Sequence, residues 1–437
     1  MKGFIDVIGG GLAGSEASLQ LASRGARVRL FEMRPGASTP AHRTPYLAEL
    51  VCSNSLKSTD PSTASGLLKK ELEQLGCVLL GLAYESSVEA GHALAVDREV
   101  FAKKVTLKIE ETERIELIRK EVKEIPDDAN IIVATGPLTS ESLSKSIEYY
   151  LDSKYLYFYD AISISISSES IDKSIAFKAS RYGKGGDDYW NIPLDKDDYE
   201  KLIEFLITAP KVELKDFEDT KYFESCLPIE VIAERGRDAL RFGPLKPKGL
   251  INPTTVKEPF AVIQLRKENR EGTMYGLVGF QTRLLRPAQR ELLKMLPGFR
   301  QPIEILRWGA IHRNTFINSP EVLDQRQMSL KRPGLFFSGQ LVGVEGYMES
   351  IAHGLVTAIN MLYFINGKTA PLFPEETIIG GLQRHLIERK KDFQPMNANF
   401  GLLPPLKAPK KIRKKLMVER SLERMHEFIS RELSWLF

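Results

Sequence analysis

Two cysteines in this sequence have neighbours suited to chemistry rather than to packing. Cys52 lies in ELVCSNSLKS, residues 49–58. An apolar, strand-like edge runs into the thiol, which is followed by Ser53, Asn54, Ser55, Lys57 and Ser58. Cys226 lies in YFESCLPIEVIAERGRDALRFGPLKPKGL, with Glu224, Glu230, Glu234, Arg235, Arg237 and Arg241 around it. Guanidinium groups near a thiol raise its thiolate fraction, and carboxylates accept protons. Either cysteine can therefore serve as a nucleophile or a proton carrier. Cys77, in the apolar run EQLGCVLLG, reads as core filler on a strand. No CxxC or CxxxxC pair is present, which weighs against a dithiol electron shuttle.

The element best defined by spacing is a dinucleotide cradle. FIDVIGG (4–10) reads as a strand. It enters Gly9-Gly10-Gly11-Leu12-Ala13-Gly14, then a helical SEASLQLASRG, then a second strand, ARVRLFE, ending at Glu32. Gly9 permits the tight turn, Gly11 lets backbone approach a pyrophosphate, and Gly14 lets helix and strand pack closely. The helix N-terminus offers N–H groups to the phosphates. Glu32 follows Gly14 by 18 residues, close to the ~20 expected of an acid that holds the ribose. A strand at NIIVATG (130–136) and another at PGLFFSG (333–339), ending in Gly339, precede a helix that starts at Gly346-Tyr347. This order resembles two-dinucleotide flavoproteins, in which a late helix N-terminus faces the flavin end of FAD and stabilises negative charge there. No second full GxGxxG exists, so a nicotinamide has no domain of its own.

The expected fold is therefore α/β: a Rossmann-type FAD-binding domain of the two-dinucleotide kind, with an inserted α+β domain and a helical C-terminal tail. The expected boundaries are 1–155 for the first part of the FAD domain, 156–325 for the inserted substrate domain, and 326–437 for the second part with a basic tail. SGLLKKELEQLG (65–76) reads as an amphipathic helix capped by Ser65 and closed by Gly76. Composition fits an ordinary globular protein, with 43% hydrophobic and 27% charged residues. No apolar run approaches a membrane span, no signal peptide is visible, and three widely spaced cysteines suit a reducing compartment. The expectation is a cytoplasmic protein without a membrane partner, an obligate protein partner or a metal.

Taken together, GGGLAGSEA, ELVCSNSLKS, CLPIEVIAERGRDALRFGPLKPKGL, WGAIHRNTFIN and FFSGQLVGVEGYMESIAHGL resemble the folate- and FAD-dependent tRNA (uracil-5-)-methyltransferase family over residues 9 to 360. The resemblance implies FAD, with 5,10-methylenetetrahydrofolate and NAD(P)H as cosubstrates. It also implies transfer of a one-carbon unit via FAD to carbon 5 of the T-loop uridine, giving 5-methyluridine. Uracil is a poor nucleophile at carbon 5 until a thiolate adds at carbon 6; carbon 5 then attacks the electrophile and a base removes its proton. The resemblance maps this pair onto Cys226 and Cys52. The preferred assignment makes Cys226 the nucleophile and Cys52 the proton acceptor, and the reverse assignment stays open.

Around them, Ser53, Asn54 and Lys57 are expected to bond the flavin or its phosphates, and Tyr347 to stack on the isoalloxazine. His312, in WGAIHRNTFI, is expected to meet the pterin or handle protons, and Arg283 to meet folate or substrate. Glu345 and Glu349 read as solvated helix-start charges. Residues 281–332 hold ten basic and four acidic side chains, and 407–424 hold eight and two. These are two cationic segments suited to RNA phosphates, and the target base is expected to leave its stack to be reached. Two alternatives remain: a wobble-uridine-modifying enzyme of the glucose-inhibited-division type, disfavoured by chain length, and a non-catalytic flavin-bearing tRNA chaperone.

Overall fold

The computed structural model describes residues 3–39, 41–127, 129–183, 186–213, 227–390 and 392–436. Cys226, the expected nucleophile, lies outside the described residues. Five parallel strands form the first sheet, in the order Leu335–Phe337, Asn130–Val133, Phe4–Ile8, Arg27–Glu32 and Ile115–Arg119. These strands are short and mostly buried, as parallel strands covered on both faces must be.

Helices Leu12–Ser23 and Tyr347–Ile365 cross in close contact over this sheet. A Cβ on Gly354 would lie 2.2 Å from the Ala13 carbonyl oxygen, and one on Gly339 would lie 2.7 Å from Ala13 Cβ. The late helix has 19 residues and passes for a membrane span by length and composition, contrary to expectation, but 89% of its apolar window is buried inside the protein. It is the core helix.

Local chemistry corrects two expectations. The Glu16 carboxylate, buried on the first helix, accepts from Val78 N (3.1 Å) and Leu79 N (2.8 Å). It thereby satisfies the open N–H groups of a helix, Val78–Glu85, and Cys77 is the N-cap of that helix rather than part of a strand. Burial pushes the Cys77 thiol up, consistent with an inert packing role. The next correction concerns Ala64–Gln74, which is capped by Thr63 Oγ1, accepting from Gly66 N at 3.1 Å, rather than by Ser65.

The second sheet runs Ile305–Arg307, Leu156–Ser167, Met274–Gln281, Ala261–Lys267, Tyr189–Leu194 and Phe177–Lys178, with Ala310–Phe316 also pairing on the long strand Leu156–Ser167. It is antiparallel and has its own core, including Ile164, Leu202, Ile263 and Phe280. The chain then returns to the first sheet at Leu335. A small third sheet joins Ser55–Ser58, Ala93–Val96 and Ser87–Val88. The strand next to Cys52 therefore follows it; residues 49–51 do not form one. Tail helices Ile378–His385 and Lys410–Glu432 dock through Glu71, whose carboxylate accepts from Ile378 N (2.7 Å), Ile379 N (3.0 Å) and Ser421 Oγ (2.6 Å).

Candidate active site

Two cavities meet at Leu138, which lines both. The smaller, about 80 Å³, is bordered by Gly9, Gly11, Glu32, Arg34, Thr39 and His42. A Cβ on Gly14 would lie 1.9 Å from the Gly9 carbonyl oxygen, and one on Gly9 would lie 2.6 Å from that of Ala134. A Cβ on Gly11 meets nothing within 4 Å. Gly9 and Gly14 are therefore packing glycines, and Gly11 faces open space at a helix N-terminus, where a phosphate fits.

Gly10 is packed too, against Leu47 and Glu32. Leu12 and Ala13 do not line either cavity, and Ala13 serves the contact with the late helix. Glu32 accepts from Gly10 N (3.0 Å), Arg34 N (3.0 Å) and Arg34 Nε (2.9 Å). Burial works to raise its carboxyl, but the Arg34 guanidinium and the two N–H groups outweigh that and hold it below the usual carboxylate range. It presents a fixed anion to the cavity.

The larger cavity, about 220 Å³, has Cys52, Ser53, Lys57, His312, Gly346 and Tyr347 among its walls. Tyr347 opens the late helix, and its hydroxyl accepts from Cys52 N (2.8 Å) and Ser53 N (3.2 Å). Burial, and then the adjacent Cys52, push this phenol up, so it stays protonated. The Cys52 thiol points to the Ala161 carbonyl oxygen at 3.7 Å. Lys57 adopts φ 65°, a conformation uncommon for a side-chain-bearing residue. From there its ammonium reaches Glu349 Oε1 at 3.0 Å. Gly346 has φ 120°, and a Cβ there would lie 2.2 Å from Glu349 Oε2, so the residue must be glycine.

Glu345 and Glu349 are buried in this wall, 7% and 1% exposed, rather than solvated. Burial, and then the charge of Asp160, push the Glu345 carboxyl well above its ordinary value. Glu349 Oε1 also accepts from Ala398 N, while Oε2 has no partner among the described residues. His312 faces Asp160 across the strand pair, and burial lowers its pKa, so it is a neutral imidazole at pH 7.

Three expected residues stand elsewhere. Asn54 is fully buried and lines neither cavity. Its amide donates to Val96 O and Lys267 O (both 3.0 Å) and accepts from Arg266 Nε (2.8 Å), so it serves the join between domains instead of the cofactor. Gly339 is a packing position whose N–H donates to His353 Nδ1 at 3.2 Å. Arg283 lines neither cavity. Its backbone N–H donates to Glu230 Oε1 at 2.8 Å, anchoring the chain four residues beyond Cys226. Arg34, Asp160 and Gln340 were not expected at the site. Arg34 and Asp160 belong to none of the motifs above, and Gln340 lies in FFSGQLVG without a role of its own; only the pairing of the strands places Asp160 opposite His312.

These features define a dinucleotide-binding protein with a second, thiol-lined cavity beside its cradle. The family model described as glucose inhibited division protein A matches residues 5–369. The methylenetetrahydrofolate–tRNA-(uracil-5-)-methyltransferase TrmFO of Natranaerobius thermophilus is 52% identical over 98% of this chain and 100% of its own length. That of Aquifex aeolicus is 50% identical over 98% and 97%. Among solved structures, Aquifex aeolicus GidA superposes with a TM-score of 0.72 at 18% identity, covering 99% of this chain and 76% of that one, and so shares the fold. The chain belongs to the methylenetetrahydrofolate–tRNA-(uracil-5-)-methyltransferase family.

Proposed function

We propose that this protein transfers a one-carbon unit from 5,10-methylenetetrahydrofolate to carbon 5 of the T-loop uridine of tRNA in the cytoplasm, with FAD as resident cofactor and NAD(P)H as reductant. The observation that carries this is that Leu138 lines both cavities, the one bordered by Gly11 and the one bordered by Cys52, so the phosphate cradle and the thiol stand on either side of one residue.

The donor set fits FAD. Gly11 and the N–H groups of the first helix would hold the pyrophosphate, Glu32 the ribose, and Gly346-Tyr347 the ring end. When bound, FAD supplies a carrier for the one-carbon unit and a hydride. The protein's own groups do the rest. One thiolate, Cys226 in the preferred order, adds at uracil carbon 6 and drives its electrons to carbon 5, which bonds to the electrophilic carbon. Cys52, as its thiolate, then accepts the carbon-5 proton as the transferred carbon is released from its carrier, leaving an exocyclic methylene on carbon 5. A hydride, which NAD(P)H would supply, adds to that methylene to give methyl, and the first thiolate leaves as the ring double bond reforms. Neutral His312 and Glu345, whose carboxyl burial raises, line the same cavity and are placed to exchange protons.

A tRNA docking surface is supported by Arg286 and Arg290. Both are exposed, neither has an acidic partner among the described residues, and they lie 5.8 and 5.4 Å from the Trp308 ring centroid. Cations beside an aromatic face suit single-stranded RNA.

The test is incorporation of labelled methylene carbon from 5,10-methylenetetrahydrofolate into unmodified tRNA by the flavin-loaded protein, followed by nucleoside analysis. The expected product is 5-methyluridine in the T loop, absent with Cys226→Ala. A modified wobble base, or RNA binding without carbon transfer, overturns the reading.

A further inference from the structure

The loop bearing Cys52 belongs to neither large sheet and is gripped between them. On one side the Tyr347 hydroxyl takes the N–H groups of Cys52 and Ser53. On the other side the inserted sheet holds the residues flanking the cysteine. Arg307 Nη1 donates to the Val51 carbonyl oxygen at 2.9 Å. Arg266 Nε donates to Asn54 Oδ1 at 2.8 Å, and Asn54 Nδ2 donates back to the Lys267 carbonyl oxygen at 3.0 Å. The Cys52 thiol itself reaches Ala161 on the same sheet. Positions 51, 52 and 54 are thus each tied to the inserted sheet. Neither Arg307 nor Asn54 lines the Cys52 cavity, so neither offers an atom to a ligand there.

We propose that Arg307 and Asn54 are positioning residues that register the Cys52 loop on the inserted sheet and so fix the thiol at the cavity wall. This rests on the reading of Cys52 as a reacting thiol. Losing the Arg307 bond leaves Val51 without this tie, so that on the inserted-sheet side the loop is held only past the cysteine, by Asn54, and by the weak contact of the thiol itself. A displacement of about 1 Å at a reacting group costs about a hundredfold in rate. No substrate contact is removed, so the loss falls on kcat and not on KM. The placement of the inserted domain thereby sets the geometry of a thiol carried by the other domain.

The experiment compares wild type with Arg307→Met, Arg307→Lys and Asn54→Asp, each purified with flavin bound. It measures kcat and KM for carbon transfer to tRNA. It also measures the iodoacetamide alkylation rate of Cys52 relative to Cys77 in the same molecules, by peptide mapping. For Arg307→Met, kcat is expected to fall about tenfold to a hundredfold with both KM values within about twofold. The Cys52:Cys77 alkylation ratio is expected to rise at least about threefold as the loop loosens, with bound flavin unchanged. Arg307→Lys, which can still donate to Val51, restores both. Asn54→Asp keeps the acceptor for Arg266 but loses the donors, and is expected to act like Arg307→Met. An unchanged alkylation ratio in Arg307→Met, or a kcat loss that simply follows flavin loss, overturns the proposal. Should wild type transfer no carbon at all, the reaction reading fails, while the alkylation ratio still decides the clamp.

Discussion

The two cavities that share Leu138 are built differently. The phosphate cradle centres on the backbone of one glycine turn, Gly9 to Gly11, set beside the carboxylate of Glu32 and ringed by side chains of the adjoining strands and loops. The Cys52 cavity is made of side chains from the 51–57 loop, the strand carrying Asp160, the strand carrying His312, and the segment from Gln340 to Glu349. A cradle of backbone tolerates only glycine at its crowded points. A cavity of side chains depends on how distant segments are held, as Tyr347 holds Cys52 and Lys57 meets Glu349.

The largest effect that separates the two is at Cys52. Replacing it with alanine is expected to lower carbon transfer about 10²- to 10⁴-fold, the range of a lost proton-transfer group. Flavin content should be unchanged, because the cradle is elsewhere. Cys77→Ala, at a helix cap with no cavity contact, should leave the rate within about twofold. Equal losses at both cysteines would break the distinction between a reacting and a packing thiol.

The next effect lies within the cradle. Gly14→Ala drives a methyl against the Gly9 carbonyl and is expected to destabilise the fold by about 3 kcal/mol, seen as a fall in Tm. Gly11→Ala meets open space and should leave Tm of the flavin-free protein almost unchanged while weakening flavin binding, read from absorbance after desalting. If both variants lowered Tm alike, Gly11 would be a packing glycine and not a ligand-facing one.

A smaller effect tests the side-chain cavity. Tyr347→Phe deprives Cys52 N and Ser53 N of a shared acceptor. The cost is expected to be about 2 kcal/mol of stability for the unsatisfied donors, measured by urea unfolding, with carbon transfer reduced about tenfold.

The contrast also explains what was legible in the sequence. Residues 4–32 carry strand, turn, helix and acid in one window, and their spacing follows from local geometry, so the cradle could be read directly. Cys52 stood out through its polar neighbours. The partners of those neighbours could not be read, because they lie on strands and helices 40 to 300 residues away: Asn54 looked like a cofactor ligand, yet its amide fits Arg266, Lys267 and Val96. Glu345 and Glu349 looked like ordinary helix-start charges until folding enclosed them with Lys57 and Asp160. Cys77 followed an apolar run that passes equally for a strand or a helix, and the deciding group, the Glu16 carboxylate, is 61 residues upstream. Tertiary contacts overrode local pattern wherever a polar side chain was buried.

The smallest effect sets one histidine of each cavity against the other. His42 borders the cradle, and burial, and then the Arg34 charge, lower it to about 4, against the opposing pull of Glu49 and Glu32. His312 borders the Cys52 cavity and is lowered by burial alone. Both are depressed in the folded state, so the unfolded chain takes up protons first as pH falls. Stability is therefore complete above the unfolded value near 6.5 and is lost as pH drops from there toward the folded value. Between pH 6.5 and 5.5 His42 is expected to account for about 1 kcal/mol of that loss. His42→Gln should flatten urea-derived stability over this window by that amount, and His312→Gln should flatten it less, because no cation adds to the effect of burial there. A larger flattening from His312→Gln would mean that the side-chain cavity, not the charged cradle, is the drier of the two.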